Sequence, residues 1–223
     1  MTRPAFPRSL LAVFMVLGLA GTAEAQSIDV VQKGASMQMD AVGHRFSIPL
    51  PDWLSAAERL SPDVLGNVEH NTYVDAQQAF VEFFPEGQSV GNWTTTYAAR
   101  VTLDATRSLA DYRKATIFGY SQTCNDKLVG SFSLGEDTAE TLAPLVYVCG
   151  AYKDTVTSGR GQGQVLLAVF RKTDRGVGMV YEEWKGPIFD PSNLATWPVS
   201  REALQARAAD LAGNTRLAAI AGS

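Results

Sequence analysis

The sequence predicts an α+β fold: one domain in which a mainly antiparallel sheet of about six or seven strands is packed by about three helices. Three observations lead there. The stretch from residue 127 to 184 reads as consecutive strand candidates with turn signals between them. A serine opens a helical pattern at Ser108 and again at Ser200. No linker, internal repeat or low-complexity tract divides the chain.

The elements follow in chain order. Residues 26–42 form a polar lead-in with a short strand at Ile28–Val31. In HRFSIPLPDW, residues 44–53, Phe46, Ile48 and Leu50 alternate with Arg45, Ser47 and Pro49, a half-buried strand that ends at Pro51. Ser55–Leu60 suits a helical turn, and Asp63–Gly66 a loop. Ala79–Phe84 is a second strand, with Val81 and Phe83 on one face and Phe80, Glu82 and Phe84 on the other. After the Gly87–Gly91 loop, Asn92 is read as a helix N-cap, and Trp93, Tyr97 and Val101 as one helical stripe with Arg100 at its edge. On this reading Trp93 is a core peg. A second helix runs from Ser108 to Gln122, with Leu109, Tyr112, Ala115 or Thr116, and Gly119 on one face. Strands follow at 127–135, 142–152, 163–172 and 176–184. Residues 165–170 are apolar on both faces, as in a central strand covered on both sides. A Pro-rich loop leads to the last helix from Ser200, with Leu204, Ala208 and Leu211 on one stripe and Gly213 at its end.

Residues 1–25 read as a secretory signal peptide. Arg3 and Arg8 precede the apolar run Leu10–Ala20, and Ala23-Glu24-Ala25 is a small-x-small cleavage site. The run is shorter than the roughly 20 residues that span a bilayer, so no stable membrane anchor is expected after cleavage. Residues 26–223 then form the single domain, with an ordered core over about 40–215. The whole chain carries a formal charge of −4, and removing Arg3, Arg8 and Glu24 leaves −5. A mildly acidic chain without basic runs has no footprint for nucleic acid or for an anionic membrane. The two cysteines, Cys124 and Cys149, are most simply one disulfide in an oxidising compartment. The expected location is periplasmic or secreted.

The segment FSIPLPDW, a strand, a Trp-led helix and a run of strands before a terminal helix together resemble the PsbP-like α-β-α sandwich. EFFPEGQSVGNWTTTYAARV is also similar to a stretch in uncharacterised bacterial envelope proteins. The resemblance covers most of residues 40–215. It implies an assembly or accessory factor rather than an enzyme, and it carries over no catalytic residue.

Chemistry-bearing motifs are sparse. His44 and His70 lie on different elements without ligand spacing, so no metal is expected, and His70 is read as a surface loop residue. No G-x-S-x-G elbow is present. The glycine-rich run SGRGQGQ, residues 158–164, lacks the Lys-Ser/Thr of a P-loop and is read as a hairpin connection in which Arg160 could contact a partner. Glu182 and Glu183 are neighbours on a strand and point to opposite faces, one of them to solvent, so they cannot act together on one substrate. No cofactor motif is found. The first functional expectation is an exported, non-catalytic envelope protein, an accessory or assembly factor that binds another protein. The alternative is a small-molecule or lipid binder with a cleft lined by Trp93, Tyr97, Tyr112, Phe118, Tyr120 and Trp184. A further alternative is an unrecognised hydrolase based on His44 or His70.

Overall fold

A seven-stranded antiparallel sheet organises the chain, with material packed on both of its faces. The computed structural model describes residues 28–61 and 64–220; the signal-peptide reading of residues 1–25 lies outside them. Among the described residues the elements are β1 (Val30–Lys33), β2 (Ser36–Ala41), β3 (His44–Pro49), α1 (Ala56–Arg59), β4 (Glu69–Val74), β5 (Gln78–Phe84) and β6 (Thr95–Leu103). They continue with α2 (Leu109–Ser121), β7 (Val129–Ser133), β8 (Leu145–Cys149), β9 (Gln162–Lys172), β10 (Gly176–Pro187), α3 (Arg201–Asn214) and β11 (Arg216–Ala219).

The large sheet runs β4-β5-β6-β10-β9-β8-β7. A second, four-stranded sheet runs β1-β2-β3-β11, so the last strand of the chain pairs with the third. The inner face of the small sheet (Met37, Met39, Phe46, Ile48) joins Leu204, Ala208 and Leu211 of α3 against one face of the large sheet. The opposite face of the large sheet carries a separate core under α2, built from Tyr112, Tyr147, Leu166, Phe170 and Met179. β8 is buried along its whole length, and β9 from Gly163 to Phe170, as their two-sided apolar sequence requires.

The helices begin where the serines place them. The Oγ of Ser55, Ser108 and Ser200 accepts the backbone N–H of Glu58, Asp111 and Ala203 respectively. α3 runs one residue past Gly213, and Arg171 of β9 donates to the carbonyls of Ala212 and Thr215 at its C-terminal end.

Three expectations are corrected. The Asn92–Val101 helix does not form: Thr95–Leu103 is β6, paired with β5 and β10. Asn92 caps nothing and instead pairs with Ser89 across a tight loop. A stripe at i, i+4 and i+8 fits period 2 as well as period 3.6, because every offset is even. The β-branched run Thr94–Thr96 favours the strand. The polar lead-in holds two strands, β1 and β2, where one short strand was expected. His70 stands on β4 at the sheet edge instead of in a loop, and Val64–Asn67 is a 3-10 turn.

Candidate functional site

Between α2 and the large sheet lies a cavity of about 610 Å³. Its floor comes from three adjacent strands: Arg100 of β6, Met179, Tyr181 and Lys185 of β10, and Gln164 of β9. These residues share one sheet face by alternation. One wall is the face of α2 that carries Tyr112, Ala115, Thr116, Gly119 and Tyr120. Val90, Gly91 and Trp93 of the β5–β6 loop, and Tyr152, Val156, Ser158 and Gly159 of the β8–β9 connection, close one end.

The cavity exists because α2 lies over β8 and β9 rather than over the middle of the sheet. The Tyr112 ring meets Phe170 edge-on at 6.1 Å, and Tyr120 lies 5.7 Å from Tyr147. Beside them α2 reaches β10 only through side chains, Thr116 to Met179 and Tyr120 to Glu183, and the cavity lies there. On α2, Gly119 contributes no bulk, and a Cβ built there would meet nothing within 4 Å. The disulfide between Cys124 and Cys149 ties the chain just after α2 to the end of β8, which holds that wall in place.

The β5–β6 loop is organised by Gln88, whose Oε1 accepts from the backbone N–H of Thr94 at 2.6 Å and of Thr95 at 3.2 Å. Trp93 is thereby set at the rim with the Lys185 ammonium 3.7 Å from its ring centroid. Burial pushes the Lys185 amine below the usual lysine range. Beneath Tyr120 lies Glu183, which accepts a hydrogen bond from the Tyr120 hydroxyl. Burial pushes the Glu183 carboxyl up to about 7, against the opposing effect of that hydrogen bond. The Tyr152 hydroxyl donates to Gln164 Oε1, and the Tyr112 and Thr102 hydroxyls are 2.8 Å apart.

The cations differ in how they are held. Arg107 is bound to Asp104 at 3.1 Å. Arg100 lies 5.4 Å over the Phe80 ring, and its buried Nε has no hydrogen-bond acceptor among the described residues.

The structure brings three of the six expected cleft aromatics together: Trp93, Tyr112 and Tyr120. Tyr97 and Trp184 point to the other face of the sheet and belong to the core beneath the small sheet. Phe118 is on the outer side of α2 and is 66% exposed. Arg160 is exposed in the β8–β9 connection, next to the lining residue Gly159. Trp93 is half-buried at a cavity rim, so its reading as a core peg is corrected. Glu182 and Glu183 do point to opposite faces, but both are buried, and neither faces solvent. Glu182 meets Arg207 of α3 at 2.6 Å. Sequence reasoning missed Arg100, Tyr152, Gln164 and Tyr181. The signal was the period-2 alternation of Met179, Tyr181, Glu183 and Lys185, which becomes informative once β6 is read as a strand.

Neither histidine lines the cavity. His44 is fully buried, its Nδ1–H donating to the Val42 carbonyl at 2.9 Å and its Nε2 lying 2.9 Å from the Thr173 hydroxyl. Comparison with family models and with curated proteins finds no match. Among solved structures the chain is similar to DynU16, a protein of the dynemicin biosynthetic locus, at 10% identity over 80% of this chain and 79% of that one. The TM-score of that match is 0.12, so no fold or function is taken from it.

Proposed function

We propose that this chain is an exported, non-catalytic binding protein that holds a small apolar or amphipathic molecule in the cavity beside Trp93. The carrying observation is the cavity itself: about 610 Å³, walled by aromatic rings with a few convergent polar groups. Its size and lining are those of ordinary small-molecule sites. Export is supported by the signal-peptide pattern and agrees with the Cys124–Cys149 disulfide. A protein partner draws support from β4 and β7, the two outer strands of the large sheet, whose outward edges are open among the described residues. The cavity is the more specific feature. A hydrolase based on His44 or His70 has no support from it.

The test is titration of the purified mature protein with N-phenyl-1-naphthylamine, a neutral fluorophore that brightens in apolar sites. Saturable binding is expected for the wild type. Gly119→Leu, which puts a side chain into open space at the cavity wall, is expected to lose that binding while melting no lower than the wild type. Equal binding by both proteins, or none by the wild type, would overturn the reading.

A further inference from the structure

We infer that the ligand is an amphipathic monocarboxylate, its apolar body against Tyr112, Met179 and Tyr181 and its carboxylate on the Arg100 guanidinium. The inference rests on the proposed binding function and adds the chemistry of the occupant.

Arg100 is the reason. It sits mid-strand in β6, opposite Met179 on one side and Phe80 on the other, in the apolar and aromatic part of the cavity floor, away from Gln164 and Lys185 at the other end. Buried guanidinium N–H groups ordinarily find acceptors, because leaving them unpaired forfeits hydration without replacement. The Arg100 Nε finds none among the described residues, and no carboxylate there stands within ion-pair distance of the side chain. Arg113 and Arg207 also each carry one buried nitrogen without a partner, but both are held by carboxylates, whereas half-buried Arg100 has none. Phe80 occupies a face of the Arg100 guanidinium. The edge of the plane carries the N–H fork, whose geometry matches a carboxylate.

Charge count selects a monoanion. Of the other cations in the lining, Arg107 is already paired with Asp104, and Lys185 is held on the Trp93 ring at the rim, which leaves Arg100 as the cation beside the apolar body of the site. Glu183 lies under Tyr120, and Glu82 lies across from Ala98 on the same sheet face as Arg100. A doubly charged phosphate ester would meet those carboxyl groups, whereas one carboxylate is matched by one guanidinium. A fatty acid and an aromatic acid share this chemistry, and they are distinguished by the probes below.

The experiment is displacement of N-phenyl-1-naphthylamine by matched pairs: octanoate against 1-octanol, and 2-naphthoate against 2-naphthalenemethanol, with 2-naphthyl phosphate as the dianion. In each pair that competes, the acid is expected to bind about tenfold more tightly than the alcohol, the worth of one charge-assisted bidentate contact. The pair that competes better names the source class. Arg100→Met, which keeps the length and apolar stem, is expected to lose the preference for acid, read as the ratio of acid to alcohol competition within the variant itself. Fluorophore binding with equal competition by acids and alcohols would overturn the inference and leave the binding function standing. Failure of the fluorophore itself would strike the binding function. A preference for the phosphate over 2-naphthoate, or an acid preference that survives Arg100→Met, would also overturn the assignment.

Discussion

Three residues show how much a single position decides. Trp93, as a core peg, would cost roughly 3–5 kcal/mol on truncation. At a half-buried rim, with Lys185 on its face, it is worth much less to the fold. Trp93→Ala is therefore expected to lower stability by about 1 kcal/mol or less, in line with an exposed cation–π contact. The same variant is expected to weaken fluorophore binding several-fold. A large fall in the melting temperature would restore the peg. Two glycines make the opposite contrast. Gly163, on β9, stands where the chain crosses the Cys149–Gly150 backbone, and a Cβ there would lie 2.5 Å from both carbonyl oxygens. Gly163→Ala must displace backbone and is expected to destabilise by about 3 kcal/mol or more, by analogy with severe overpacking. Gly119 has open space beside it, so Gly119→Ala is expected to stabilise α2 by up to about 1 kcal/mol. Denaturant melts of the two alanine variants check both signs at once.

At the scale of elements, the legible strands were those whose environment is uniform. β8, β9 and β10 are buried on both faces or nearly so, and their apolar runs announce it. β4 carries Glu-His-Asn-Thr-Tyr-Val with no buried residue, so nothing in its composition separates it from a loop. β11 is only Arg216–Ala219, and its pairing partner β3 is far away in the chain, a contact that local periodicity cannot contain. The second sheet was hidden for that reason, and Tyr97 was placed in the expected cleft because β6 was read as a helix. How α3 docks was equally invisible. Its buried Arg207 donates to Glu182 on β10 and to the Leu50 carbonyl at 3.2 Å, and its guanidinium lies 4.6 Å from the Tyr97 ring centroid. Arg207→Met would leave Glu182 buried without its counter-charge, at an expected cost of about 3–5 kcal/mol. The double variant Arg207→Met with Glu182→Leu removes both charges and is expected to recover most of that loss. Additive losses in the double variant would mean that the pair is not what holds α3 to the sheet.

For the whole molecule, the two adjacent glutamates make stability depend on pH in an unusual direction. Asp40, Asp104, Asp137 and Asp190 are held below the usual carboxylate range, mostly by hydrogen bonds to arginine, backbone or hydroxyl groups, and they act on stability only in acid. Glu182 and Glu183 are pushed the other way by burial, with Arg207 pulling Glu182 back. For Glu183 the unfolded carboxyl titrates near 4.5 and the folded one at about 7. Below the lower value both states hold the proton, and its contribution is fully present. As pH rises through the upper value, the folded protein must ionise a buried group, and the contribution is lost. At one pKa unit per 1.36 kcal/mol, the loss is on the order of 3 kcal/mol. The melting temperature of the wild type is thus expected to fall between about pH 5 and pH 8, the opposite of the slope that salt-bridged carboxylates give. Glu183→Gln keeps an acceptor for the Tyr120 hydroxyl and has no proton to lose. It is expected to match the wild type at about pH 5 and to exceed it at about pH 8. The difference between the two proteins cancels every titrating group they share. A difference that does not change with pH would mean that Glu183 stays ionised beneath Tyr120, and the cavity would then carry one more fixed negative charge opposite Arg100.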